Sequence, residues 1–222
     1  MNSRNYHSPL PRPSHAPSPA SPDKEGLDDS MVTGTAEAEV RILFSPFTLG
    51  AIALTHRVVH APTTRLRADP DESPSAMMRE YYEQRASAGG LIITESAHPS
   101  HDSRGYEGAP GIYTDAHVAA WRRITDAVHA KGGSIVMQIA HDGRQSHVDL
   151  SNGAAPIAPS VVPFEGQALT RNGWVPVSPH RALAIDEIPA LVESFRKAAK
   201  RARDAGFDGI ERKQRSVRSR AR

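Results

Sequence analysis

The 222-residue chain contains no cysteine. That excludes a disulfide framework and any thiolate metal site, and makes an intracellular, reducing compartment the default. No apolar run approaches the roughly 18 residues of a membrane-spanning helix, and no segment has the layout of a secretory leader. The expectation is therefore a soluble, cytoplasmic protein with no membrane partner. A GxGxxG after the first strand-like segment is also missing, which weighs against a Rossmann domain. Acids are absent from the last eleven residues, where Arg212, Lys213, Arg215, Arg218, Arg220 and Arg222 carry six positive charges. The formal net charge is +2, so the remaining 211 residues are slightly acidic. The basic balance rests on the tail alone, and nucleic acid is not the expected partner.

What is present begins with a Pro/Ser/Ala-rich stretch, residues 1–38, with Pro9, Pro11, Pro13, Pro17, Pro19 and Pro22 closely spaced. It has almost nothing apolar to bury and reads as a disordered N-terminal extension. Its acids Asp23, Glu25, Asp28 and Asp29 argue against a mitochondrial presequence. Order is expected from Ile42. Residues 43–47 and 49–54, with a turn at Gly50, read as an apolar lid over one end of a barrel, and 57–61 as a first strand. Ser75 caps a helix running to Ala88, and 91–95 form a second, buried strand. Thr114 or Asp115 caps an amphipathic helix with Val118, Trp121, Ile124, Thr125 and Val128 on one face. Residues 135–140 form the third strand. A long, proline-studded loop follows over 142–185, without a helix of its own, and loops of that length are usually functional. Asp186 caps a last helix with Pro189 in its first turn and Ile188, Leu191, Val192, Phe195, Ala199 and Ala202 as a core stripe. Residues 207–211 begin a fourth strand.

Strands alternating with helices imply right-handed crossovers and a parallel α/β sheet, and the lid and long third loop favour a (β/α)8 TIM barrel over an open sheet. A complete barrel usually needs about 250 residues, so the expected fold is a barrel truncated after about the fourth strand. Reactive groups of a barrel collect where its strands end. Those endings are Ala61-Pro62-Thr63-Thr64-Arg65, Thr94-Glu95-Ser96-Ala97 and Gln138-Ile139-Ala140-His141-Asp142-Gly143-Arg144. Gln138 is the one amide inside an apolar strand, and left without a hydrogen-bond partner it would cost about 1–3 kcal/mol.

With Tyr81-Tyr82-Glu83-Gln84-Arg85-Ala86-Ser87-Ala88-Gly89-Gly90, Gly111-Ile112-Tyr113, Trp121 and Asp126-Ala127-Val128-His129-Ala130-Lys131-Gly132-Gly133, these endings resemble the Old Yellow Enzyme family over about residues 42–211, its N-terminal half. The resemblance implies FMN across the barrel mouth, NADH or NADPH as reductant, and a small-molecule substrate with an activated C=C bond, such as an enone. Pro62, Thr63 and Thr64 would line the flavin, with the Thr64 hydroxyl at its O4/N5 edge. Ser96 would give mainly backbone contacts, and Gln138 would pair with the pyrimidine edge, where an amide offers both a donor and an acceptor. Ala140 stands where many members carry a bulky Trp beside the substrate, which implies a wider or differently shaped pocket.

Plainer readings stand beside these. Thr64 is also a turn hydroxyl, and a buried Gln is commonly satisfied by backbone or water. His141 and Arg144 read as loop-fixing groups. His98 and His101 have metal-like spacing but no third ligand, so no metal site is expected. The family's substrate-binding His pair and proton-donating Tyr fall by spacing on Lys213, Ser216 and Arg218, none of which does that work, so no catalytic residue is expected to be retained. Residues 212–222 read as a basic, unrelated tail of the kind an out-of-frame reading of a GC-rich gene gives. A truncated or frameshifted product is thus expected, poorly stable unless it pairs with another copy. Two function classes follow: an FMN-dependent oxidoreductase, or a catalytically inactive remnant of one.

Overall fold

The computed structural model describes residues 41–213; the extension 1–38, Ser216 and Arg218 lie outside the described residues. Two short strands come first, β1 (Phe47–Leu49) and β2 (Ile52–Leu54), paired antiparallel as a hairpin with Leu49 opposite Ile52. Gly50 turns it at φ 60°, a conformation glycine adopts without steric cost. Leu54 and Ile52 pack on Leu91 and Val136 near the start of two sheet strands, so the hairpin sits at the N-terminal end of the sheet.

The first sheet strand is β3 (Val59–His60), shorter than the expected 57–61. Among the described residues it is an edge strand with one neighbour, which it meets through Val59 and His60. Helix α1 (Ala76–Arg85) is capped as expected, the Ser75 hydroxyl accepting the Met78 N–H at 3.3 Å. It stops three residues short of Ala88, where Ala86 turns to extended backbone. The strand β4 (Leu91–Ala97) follows. Helix α2 (Asp115–Ala130) is capped by Thr114, which accepts the His117 N–H at 3.1 Å. It leads through Gly132, at φ 73°, into β5 (Ser134–Ile139).

The segment expected to be a bare loop has structure of its own. Strands β6 (Ile157–Ala158) and β9 (Arg181–Ala182) pair in parallel, while β7 (Gln167–Thr170) and β8 (Gly173–Pro176) form an antiparallel hairpin. Helix α3 (Ile188–Asp204) starts from Glu187, not Asp186, which lies within a preceding 3-10 turn, Ile185–Glu187. The expected core stripe holds only over the helix's second half. Ala198, Ala202 and Ala205 are buried, and as small residues they let the backbone approach the sheet. Ile188 and Val192 are 45% and 61% exposed. Beside that first half lies a cavity of about 500 Å³, lined by His141, Leu183, Ala190 and Leu191 among others, that the loop does not fill.

The last described strand, β10 (Gly209–Arg212), joins a four-stranded sheet in the order β10-β5-β4-β3, every pairing parallel. Each sequential neighbour is thus a spatial neighbour, as in the wall of a barrel, although no closed barrel is formed among the described residues. The core lies between this sheet and the helices: Met78, Tyr82, Ile92, Trp121, Ile124, Val128, Ile135, Met137, Ile139 and Phe207. Asp208 locks β10 in place by accepting the Ile135 N–H at 2.7 Å while bonding the His129 ring at 3.0 Å. No helix of the described residues is long and apolar enough to cross a membrane.

Candidate active site at the strand ends

Parallel register sets three polar side chains in one row. Ser96 on β4 and Glu211 on β10 both stand opposite Gln138 on β5. Alternate residues of a strand share a face, and directly paired residues of neighbouring strands share it too. Gln138, 2% exposed, donates from Nε2 to Glu211 Oε1 at 3.0 Å, and its Oε1 accepts the Ser96 hydroxyl. The amide that stood out as a lone polar group therefore has protein partners on both sides, and these fix which way it faces. Its backbone N–H donates to the Thr94 hydroxyl at 3.2 Å, where a bulge shifts the β4–β5 register between Ile93 and Ser96.

Ser96, alone of this row, borders a cavity of about 200 Å³ at the C-terminal ends of the strands, lined by Thr64, Leu66, Glu95, Ser96, His98, Tyr106, Ala109, Asp142, Trp174 and Lys213, and Gln138 is buried outside that lining. Of the residues singled out in the sequence, Thr64, Ser96 and Lys213 meet there. Pro62 is half-buried and Thr63 exposed on the same turn, the Thr63 hydroxyl donating to Ala61 O at 3.3 Å. Thr64 carries an exposed hydroxyl with no partner among the described residues. Ala140 is buried outside the cavity lining, and its carbonyl accepts from His98 Nδ1 at 3.3 Å. Lys213 extends the β10 pairing by one residue, its N–H donating to Ile139 O at 3.0 Å.

Several lining residues carried no site assignment in the sequence. Glu95 lies buried where its Oε2 accepts the N–H groups of Arg65 and Leu66; burial pushes its carboxyl pKa above the ordinary value, against the lowering pull of those two bonds. His98 is buried with its Nε2 3.9 Å from Asp142 Oδ2, and burial holds its pKa down, favouring the neutral ring. Its sequence neighbour in the metal-like pair turns elsewhere: His101 Nδ1 meets Glu72 Oε1 at 2.8 Å, beside Arg104 at 3.1 Å from the same oxygen. His141 Nδ1 accepts the Gly143 N–H at 2.9 Å, and burial lowers its pKa as well. Tyr106, from the loop after β4, and Trp174, from β8, meet edge to face at 6.0 Å. The Asn172-Gly173 pair is the sequence signal for the hairpin that brings Trp174 in.

The donor set suits a flat, polar heteroaromatic group. A threonine hydroxyl and a serine gather at one sheet end with apolar Leu66 and Ala109 beside them, and the serine bonds an oriented carboxamide just behind the cavity wall. A parallel βα sheet in sequential strand order is the architecture of part of an α/β barrel wall. Residues 42–215 match the model of the NADH:flavin oxidoreductase / NADH oxidase family, and the chain belongs to that family, the Old Yellow Enzyme family, whose members depend on FMN and use NAD(P)H. It is 44% identical over 173 residues to the flavin oxidoreductase hxnT of Emericella nidulans, covering 76% of this chain and 44% of that protein. To 12-oxophytodienoate reductase 1 of Oryza sativa subsp. japonica it is 42% identical over 170 residues, covering 76% and 43%. Among solved structures, the old yellow enzyme homologue from Zymomonas mobilis superposes with a TM-score of 0.73 at 46% identity, covering 77% of this chain and 47% of that one. Morphinone reductase in complex with tetrahydroNAD gives 0.71 at 46% identity, covering 77% and 48%. The chain spans about half the length of these relatives.

Proposed function

We propose that this chain carries the flavin-holding half of an Old Yellow Enzyme-type oxidoreductase, cytoplasmic and acting on small molecules. The observation that carries the reading is the Ser96–Gln138–Glu211 row, which fixes the orientation of one buried carboxamide beside the cavity that Ser96 lines. When bound, FMN supplies a two-electron relay by which NADH or NADPH reduces an activated C=C bond, one carbon taking a hydride and the other a proton. Gln138 holds the flavin through its remaining N–H and lone pair, Thr64 offers its hydroxyl at the ring edge, and Pro62, Thr63 and Ser96 shape the adjoining wall.

The purified chain is expected to be yellow, or to quench the fluorescence of added FMN on titration. Gln138→Leu removes both hydrogen-bonding functions of the amide and should weaken that binding by about tenfold, equivalent to about 1.4 kcal/mol. A colourless chain that takes up no FMN overturns the proposal.

A second reading, flavin binding without substrate reduction, is favoured by Lys213. It occupies the cavity wall at the position where the family resemblance expects a substrate-binding histidine. Flavin uptake with no enone-dependent oxidation of NADH or NADPH decides for this reading over the first.

A further inference from the structure

The turn after β3 has a backbone that leucine does not hold unaided. Leu66 sits at φ 55°, in the left-handed region that a side chain with a Cβ disfavours. Such a residue persists only where its surroundings over-determine it, and three contacts do so here. Gly108 passes so close that a Cβ on it would lie 2.8 Å from Leu66 O. The Arg67 guanidinium donates to the carbonyls of Arg65 and Leu66 at 3.0 and 3.1 Å. Glu95, from the end of β4, accepts the Arg65 N–H at 2.9 Å and the Leu66 N–H at 3.1 Å on a single oxygen, Oε2.

The third contact differs from the others in being anchored to the sheet. The Glu95 N–H donates to the Tyr82 hydroxyl at 3.0 Å, and its carbonyl accepts the Thr94 hydroxyl at 2.8 Å, so the strand is fixed at the point from which the carboxylate reaches out. Two consecutive N–H groups converging on one carboxylate oxygen form a small anion-binding nest. The residue is buried, and its other oxygen, Oε1, has no hydrogen-bond partner among the described residues. The carboxylate is committed to the turn.

We infer that Glu95 is a positioning residue for the flavin site: its carboxylate fastens the Arg65–Leu66 turn to the end of β4 and so sets Thr64 and Leu66 against the cavity wall. The fastening stands on the geometry alone, and its effect on FMN rests on the function proposed above. The Glu95 side chain itself need not touch the ligand. What it controls is the conformation of the wall that does.

The test uses the full chain with Glu95→Gln, Glu95→Ala and Glu95→Asp. Hydrogen exchange at the Arg65 and Leu66 amides reads the fastening, and FMN fluorescence quenching reads the site. Gln keeps an oxygen within reach of both amides, so exchange should stay slow and the Kd for FMN within about threefold of wild type. Ala removes the acceptor and Asp, though still charged, is a methylene too short. Both should speed exchange at the two amides by about tenfold or more and raise the Kd by about tenfold. Rescue by Gln but not by Asp distinguishes reach from charge. If Glu95→Ala loses its far-UV circular dichroism, Glu95→Asp carries the comparison. Unchanged exchange at these amides in the Ala or Asp variant overturns the inference, as does faster exchange with an unchanged Kd. A wild-type chain that takes up no FMN overturns the flavin reading instead, and the exchange result then decides for or against the fastening.

Discussion

His117 shows how burial fixes a protonation state. The ring is buried, its Nε2 donates to Asp71 O at 2.9 Å, and its Nδ1 accepts the Tyr113 N–H at 3.3 Å. That assignment uses both nitrogens of the neutral imidazole, and a second proton would point Nδ1–H at another donor. Burial depresses the pKa of His117, as it does for His98 and His141. A depressed folded-state pKa contributes stability above the unfolded value, near 6.5, that is lost as the pH falls through the folded value. The urea midpoint should therefore hold steady above about pH 7 and drop on acidification below about pH 6.5. His117→Gln, which keeps a polar side chain but cannot ionise, should make the drop shallower; an unchanged profile in that variant excludes His117 as a contributor. At this scale the sequence was half legible. Gln138 stood out because it is polar within an apolar strand, and Glu95 could have been found by the same argument. Asp142 lies in the quoted ending of the third strand and Asn172-Gly173 marks the turn before Trp174, but their meeting with Tyr106 was not legible, because loop and hairpin are brought together by packing rather than by spacing.

Among the elements, α2 joins the helix layer to the sheet through Trp121. The indole is fully buried, 6.4 Å from the Tyr82 ring and 5.4 Å from that of Phe207, and its Nε1 donates to Gly111 O at 2.9 Å. Trp121→Ala should cost about 3–5 kcal/mol in denaturant unfolding, and Trp121→Phe, which keeps an aromatic ring but leaves the Gly111 carbonyl without its donor, about 1–3 kcal/mol. A loss under 1 kcal/mol for the alanine variant would show that the site collapses around the missing ring. The long regular elements were readable because one physical signal dominates each. The apolar runs 91–93 and 135–139 leave no alternative to a buried strand, and Ser75 and Thr114 cap where their hydroxyls reach free N–H groups. The third loop was misread because its prolines mask short strands. Only four residues form each arm of the β7–β8 hairpin, too few for a period to show, yet Asn172-Gly173 marks its turn, with Gly173 at φ 93°. The first half of α3 was misread for the opposite reason: its periodicity is genuine, but Ile188 and Val192 have no packing partner that buries them among the described residues.

For the molecule as a whole, the sheet has open edges at β3 and β10 among the described residues. β10 presents half-exposed Ile210 on an edge strand. Such an edge is a template for another chain, and pairing with a second copy is the expected outcome in solution. Light scattering across a concentration series should show association, and Ile210→Lys, which sets a charge on that edge, should weaken it at least about threefold. A wild-type chain that stays monomeric throughout sinks this expectation. The Ser96–Gln138–Glu211 row has a further consequence, in time rather than space. Its first link joins residues 42 apart and its second residues 73 apart, so each strand pairing must close a long stretch of chain. The β4–β5 pairing becomes available on a ribosome well before β10 has been synthesised. The amide of Gln138 therefore waits, half-partnered, for Glu211, and refolding should show slow, late protection of β10 behind earlier protection of β4 and β5.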